Sequence, residues 1–287
     1  MRSPRRLLVL LNVFVLWSAF QLYKYYKLPQ NIVRRHSATS TATAGEAQSD
    51  IMASTLKFLT VAARAKHTAT VIFVHGLGDS GHGWQPVASM LGSTPAFQHI
   101  KWVLPHAPEM PVTANGGLVM PSWFDIEDFG FEHDDEPGML RTVRSLNQLI
   151  TAEVDAGIPS ERIVLGGFSQ GAAMTLLTGL TSERKLGGLI IMSGWLPLGK
   201  KFKAMTNDHA KKIPIFWGHG QSDPLVRYQW AQRSKAFLEN ELGIGEAKGD
   251  SRVGLEFHGY PGLVHSAGDE ELQDMQTWLG KVLPPIN

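Results

Sequence analysis

The run Gly167-Phe168-Ser169-Gln170-Gly171 sets one hydroxyl between two residues without side chains. Glycines at that spacing permit a sharp turn that lifts the serine clear of its neighbours. A serine hydroxyl is a poor nucleophile at neutral pH, so it needs a base within hydrogen-bond reach and a third group that fixes the base. Two later segments offer these: Gly218-His219-Gly220-Gln221-Ser222-Asp223-Pro224, and Pro261-Gly262-Leu263-Val264-His265. Charge developing on an acyl oxygen needs N–H donors, and His75-Gly76-Leu77-Gly78-Asp79-Ser80-Gly81 supplies a second glycine-rich loop for them. The expected assignment is Ser169 as nucleophile, His265 as base, Asp223 as the orienting acid, and the backbone N–H groups of Leu77 and Gln170 as oxyanion donors. The competing assignments are an ordinary glycine-rich strand-to-helix turn at Ser169, His219 or His258 as base, and Asp269 as acid.

These residues need elements to position them. Short apolar runs recur at Val71 to Val74, Trp102 to Leu104, Arg162 to Leu165, Leu189 to Met192, Ile213 to Trp217 and Leu255 to His258, and they read as strands. Helical patterns lie between and after them, with Leu140, Val143, Leu146, Leu149, Ile150 and Val154 on one face, then Ala172 to Leu180, Tyr228 to Leu242 and Asp269 to Val282. Strands that are apolar throughout suit a parallel sheet covered by helices on both faces, so the alternation predicts an α/β fold. Leu56 to Ala62 adds an edge strand, antiparallel to the rest. No internal repeat or second domain is evident. The serine turn then joins a strand to a helix, and the acid and base each follow a later strand, which is the chain order of an α/β-hydrolase: nucleophile, acid, histidine.

Composition removes other classes. Among 287 residues, 27 Lys and Arg nearly balance 26 Asp and Glu, so charge gives no argument for nucleic acid as a partner. The absence of cysteine excludes disulfides, a thiol nucleophile, Cys-ligated zinc and iron–sulfur clusters. No cofactor is expected: the glycine loop at Gly76 matches neither the dinucleotide fingerprint nor Walker A. No metal is expected either, because His75 and His82 are separated by that loop and His133-Asp134-Asp135-Glu136 reads as a solvated acidic run.

The first fifty residues read differently from the rest. Leu7 to Tyr23 is an apolar run preceded by Arg2, Arg5 and Arg6 and followed by Lys24 and Lys27, the pattern of a transmembrane signal anchor. A buried core helix is the alternative for it. Ser37 to Asp50 reads as a flexible linker. The expected organisation is residues 1–50 as hydrophobic segment plus linker and residues 51–287 as catalytic domain, with Met52 a candidate start of a shorter product.

From about residue 67 to 286 the chain resembles the acyl-protein thioesterases, also called the lysophospholipase/carboxylesterase family. The resemblance is carried by Phe73 to Gly81, Pro105-His106-Ala107-Pro108, Met120-Pro121-Ser122-Trp123-Phe124-Asp125, Asp135-Glu136-Pro137-Gly138, Gly157-Ile158-Pro159, Gly166 to Gly171, Ser193-Gly194-Trp195-Leu196-Pro197 and Asp223-Pro224-Leu225-Val226. It implies the same Ser169, Asp223, His265, Leu77 and Gln170. It also implies hydrolysis of palmitoyl thioesters on protein cysteines, with lysophospholipids and simple esters as further substrates, in the cytoplasm and also the nucleus. Trp123 and the loop Pro105 to Asp125 match the segment that covers the acyl-binding groove, with Trp123 and Leu77 the expected substrate-binding residues. Family members often carry an acylated N-terminal cysteine, which this chain lacks. The Leu7 to Tyr23 segment is not a family feature and would substitute as an anchor.

Overall fold

The computed structural model describes residues 55–128, 133–249 and 251–286. Leu7 to Tyr23, the linker, Met52 and the expected boundary at residue 50 lie outside the described residues.

The apolar runs form one sheet. β1 (Phe58–Val61), β2 (Ala69–Val74), β3 (Ile100–Pro105), β6 (Ile163–Phe168), β7 (Gly188–Met192), β8 (Pro214–Gly220) and β9 (Gly254–Tyr260) lie in the order β1-β3-β2-β6-β7-β8-β9. All neighbours are parallel except β1, which runs antiparallel to β3 from Phe58 opposite Pro105 to Val61 opposite Trp102. Every residue of β2, β6, β7 and β8 is buried, as a sheet sandwiched between helices requires. Side chains alternate between two cores. Ile72, Val74, Leu165, Ile191 and Trp217 join one, with residues of α2 (Glu136–Asp155), α3 (Gln170–Thr181) and α5 (Tyr228–Asn240). Val71, Phe73, Val164, Ile190 and Phe216 join the other, with residues of α1 (Gly81–Ser93) and α6 (Asp269–Val282).

Four elements were not expected, α1 among them. β4 (Glu109–Val112) and β5 (Leu118–Pro121) form a separate antiparallel ribbon, and α4 (Gly199–Met205) follows β7. The ribbon contains Pro111 and Pro121, which cannot donate to a ladder, so its pattern does not read as strand. α1 contains Gly81, Gly83 and Pro86 and is fixed instead by burying Trp84, Val87, Ala88 and Leu91. The acidic run at residue 133 is structural: Asp135 Oδ1 accepts from Gly138 N–H (2.9 Å) to cap α2, and Asp134 Oδ2 accepts from Leu198 N–H (2.7 Å). At the opposite end of the sheet, buried Glu153 on α2 binds Lys101 Nζ (2.5 Å) and the Thr70 hydroxyl (2.7 Å), tying that helix to β3 and β2.

α3 starts where β6 stops, and its first turn crosses the end of β2 at very short range. A Cβ on Gly171 would sit 2.2 Å from Val74 O and 2.5 Å from His75 O. Alanine normally favours a helix over glycine, but this contact reverses the sign. Gly171→Ala is expected to lose at least about 1–3 kcal/mol of stability in urea unfolding. Gly245→Ala, where a Cβ meets nothing within 4 Å, is expected to leave the midpoint unchanged.

Candidate active site

Ser169 occupies the junction of β6 and α3 with φ 55° and ψ −119°, a conformation L-residues rarely adopt. Its N–H donates to Met192 O (2.9 Å) on β7, and its carbonyl accepts from the N–H groups of Ala172 (3.0 Å) and Ala173 (3.1 Å). The backbone is thus pinned on both sides, and the side chain remains partly exposed.

The loop after β8 brings Asp223 to the same end of the sheet, and the loop after β9 brings His265. The Ser169 hydroxyl donates to His265 Nε2 (2.8 Å), and His265 Nδ1–H donates to Asp223 Oδ2 (2.7 Å). Asp223 Oδ1 accepts from the N–H groups of Leu225 and Val226 (2.9 Å each), so both carboxyl oxygens are occupied. The three residues expected from the sequence are therefore one continuous chain of hydrogen bonds. The competing residues lie elsewhere. His219 is fully buried behind the acid, its Nε2–H donating to Val226 O (2.7 Å) while lying 3.6 Å from Asp223 Oδ2. Burial lowers its pKa, so it is neutral. His258 stacks on Phe216 in the sheet, and Asp269 begins α6.

The loop after β2 passes close beside the serine: a Cβ on Gly76 would lie 3.3 Å from Ser169 Cβ. Gly78 N–H is bonded to Pro121 O (2.9 Å) and Asp79 N–H to Gly76 O (3.3 Å). The Leu77 N–H between those turns is the one the sequence nominates as donor, together with Gln170 N–H at the first position of α3.

Three supporting roles escaped the sequence reading. The Gln170 side chain is fully employed, its Oε1 accepting from Trp123 N–H (3.0 Å) and its Nε2 donating to Ser122 Oγ (2.9 Å) and Phe124 O (2.8 Å). Trp123 is only 2% exposed, with its indole N–H on His75 O (2.8 Å) and its carbonyl accepting from Thr142. It therefore backs the loop from beneath. His75 is the clamp between them: its Nδ1–H donates to Gly76 O (2.7 Å) and its Nε2 accepts from Ala107 N–H (3.1 Å). Burial drives this imidazole down to about 4, which fixes it neutral in that tautomer. A histidine directly after the apolar run Val71 to Val74 was the available signal. Nearby, burial pushes the Asp79 carboxyl up to about 6. Among the described residues no group of three or more His, Asp or Glu could hold a metal ion.

A hydroxyl, an imidazole and a carboxylate joined in series above a strained turn, at the carboxyl edge of a parallel sheet, define a hydrolase of the α/β-hydrolase fold. The chain belongs to the phospholipase/carboxylesterase family, whose model matches residues 56–283. It is 51% identical over 239 residues to acyl-protein thioesterase 1 of Cryptococcus neoformans, covering 81% of this chain and all of that one. Identity to acyl-protein thioesterase 1 of Mycosarcoma maydis is 44% over 244 residues, with coverage of 80% and 99%. Among solved structures it is similar to Arabidopsis thaliana SOBER1 (TM-score 0.68, 33% identity, 75% and 99% covered) and to Zea mays acyl-protein thioesterase 2 (TM-score 0.68, 28% identity, 79% and 99% covered). No described helix is long and apolar enough to cross a membrane, and Leu7 to Tyr23 is not among the described residues.

The His75 clamp has a pH signature. The folded protein refuses a proton that the unfolded chain accepts below about 6.5, so the stability held by the neutral ring is present above that pH and is lost as pH falls toward 4. Over that window the loss amounts to roughly 3 kcal/mol. His75→Asn does not titrate there, so the difference in melting temperature between wild type and variant is expected to narrow on acidification. A constant gap would show that His75 is not buried and neutral.

Proposed function

We propose that the protein is a serine hydrolase that removes fatty acyl groups, palmitoyl above all, from protein cysteines. The relay from Ser169 through His265 to Asp223 carries this reading, and the thioesterases among the similar proteins support the substrate class. Ser169 Oγ attacks the thioester carbonyl while its proton passes to His265 Nε2. The carbonyl oxygen becomes an anion received by the Leu77 and Gln170 N–H groups. As the C–S bond breaks, the imidazolium returns the proton to the departing cysteine sulfur, leaving an acyl-serine. Water, deprotonated by His265, attacks that ester and releases the fatty acid and the serine. Asp223 holds the Nδ1–H tautomer and balances the imidazolium charge.

Leu77 and the segment around Trp123 stand on the acyl side of the site. Because the Gln170 side chain ties that segment to the turn that also supplies an oxyanion donor, acyl binding and charge stabilisation share one support. Lysophospholipids and simple carboxylic esters form the second reading, favoured by the family's phospholipase/carboxylesterase description. Relative turnover of an S-palmitoyl peptide and a lysophospholipid separates the two. We place the catalytic domain, residues 51–287, in the cytoplasm at membrane faces, with Leu7 to Tyr23 as anchor in chains that retain it. Imaging the full chain beside one starting at Met52 tests this.

Ser169→Ala is expected to abolish both thioester turnover and labelling by a fluorophosphonate, with the fold intact. Asp223→Asn should keep the labelling site but slow turnover on the order of 10⁴-fold, the cost of a wrong imidazole tautomer in serine proteases. Gln170→Met retains the backbone donor and loses the side-chain ties. It should therefore raise KM more for a palmitoyl than for an acetyl ester, and an equal effect on both would remove the segment from acyl recognition.

A further inference from the structure

Behind the relay lies a carboxyl group that the reaction does not use. Glu271, in the first turn of α6, has no exposed surface. Its Oε2 accepts from Gly268 N–H (3.3 Å), closing the short segment that leaves His265. Its Oε1 lies against β8 so tightly that a Cβ on Gly218 would come within 2.4 Å of it, and it has no hydrogen-bond partner among the described residues. Gly218 belongs to the strand that continues into the Asp223 loop, and its carbonyl accepts from Ser193 N–H (2.9 Å). One side chain thus joins the loop of the base to the strand of the acid.

The charged groups acting on Glu271 are Asp223, from the β8 loop, and Asp274, on its own helix. Both are acidic. From β9, Tyr260 donates its hydroxyl to Asp274 (2.9 Å) and His258 Nδ1 lies 3.9 Å from the same carboxylate, so neither is committed to Glu271. An anionic oxygen without a donor in an enclosed site is far costlier than a neutral one. Burial first, and then the two carboxylates, push the Glu271 carboxyl up to about 8.

We propose that Glu271 is a positioning residue for this reaction: as a neutral carboxylic acid it fastens the His265 loop to the Asp223 strand, and its ionisation disengages the site in alkaline solution. The inference rests on the serine-hydrolase reading above. Ionisation sets a second buried negative charge near Asp223, and its desolvation and repulsion by that carboxylate drive it from the seat against Gly218.

The test is the pH profile of kcat/KM for a short-chain ester, blank-subtracted, from about pH 6 to about pH 10. Wild type is expected to lose activity on the alkaline side at about tenfold per pH unit, as one ionisation gives. Glu271→Gln, neutral at every pH, keeps the acid limb and the plateau within a few-fold and loses the alkaline fall. Glu271→Ala lowers kcat at every pH and changes KM little. An unchanged alkaline limb in Glu271→Gln overturns the proposal, as does a folded Glu271→Gln as inactive as Glu271→Ala. If Glu271→Gln does not fold, wild type decides. The infrared band of a protonated carboxyl should vanish in step with the rate of fluorophosphonate labelling, and labelling that falls while the band persists overturns it. Labelling that survives in Ser169→Ala would instead refute the serine reading.

Discussion

The backbone of Ser169 is held in a left-handed conformation that costs on the order of 1–3 kcal/mol, and the site is arranged around that turn. It persists because both sides of the turn leave no room to relax. A Cβ on Gly167 would lie 2.3 Å from Gly171 O, and Gly171 itself packs against the carbonyls that end β2. The adjacent strand behaves alike: Phe168 pairs with Met192, and the next residue, Ser193, also has a positive φ of 50°. Its N–H reaches Gly218 O on β8 just as Ser169 N–H reaches Met192 O. The ladder therefore continues past the last regular residues, and the strained serine is stabilised by its neighbours in the sheet.

Around that turn the charges are few and enclosed. The Asp223 carboxylate is buried but fully hydrogen-bonded, by two backbone N–H groups and by His265, so its charge is balanced where it is needed. The second imidazole near it, His219, is spent on the Val226 carbonyl and closes the acid's loop. On the far side, neutral His75 clamps the loop after β2 to Ala107, and its carbonyl takes the Trp123 indole. The proton carriers are thus confined to one imidazole, while the other buried histidines serve as fixed donors and acceptors.

Much of this was legible in the sequence because the signals were local. Continuous apolar runs foretold β2, β6, β7 and β8, and alternation of strand with helix foretold the parallel sheet. The antiparallel edge at Phe58–Val61 was also readable. Ser169, Asp223 and His265 were recoverable because the fold fixes their order along the chain. What stayed hidden depends on tertiary contacts. Helix α1 carries three glycines and a proline and is held by burial of Trp84 and Leu91, and the β4–β5 ribbon contains two prolines. The duties of the Gln170, His75 and Glu271 side chains are set by groups distant in sequence, such as Phe124, Ala107 and Gly218. Periodicity carries no trace of such partners.

Hydrolysis through the relay passes through a covalent intermediate at one hydroxyl. Brief mixing of the protein with an S-palmitoyl peptide, an acid quench and peptide mass spectrometry would read it directly. The hydrogen-bonded relay predicts a palmitoyl ester on the peptide containing Ser169, formed faster than the fatty acid is released into solution. Turnover with the acyl group trapped on any other residue, or with no acyl-protein at the earliest times, would contradict it.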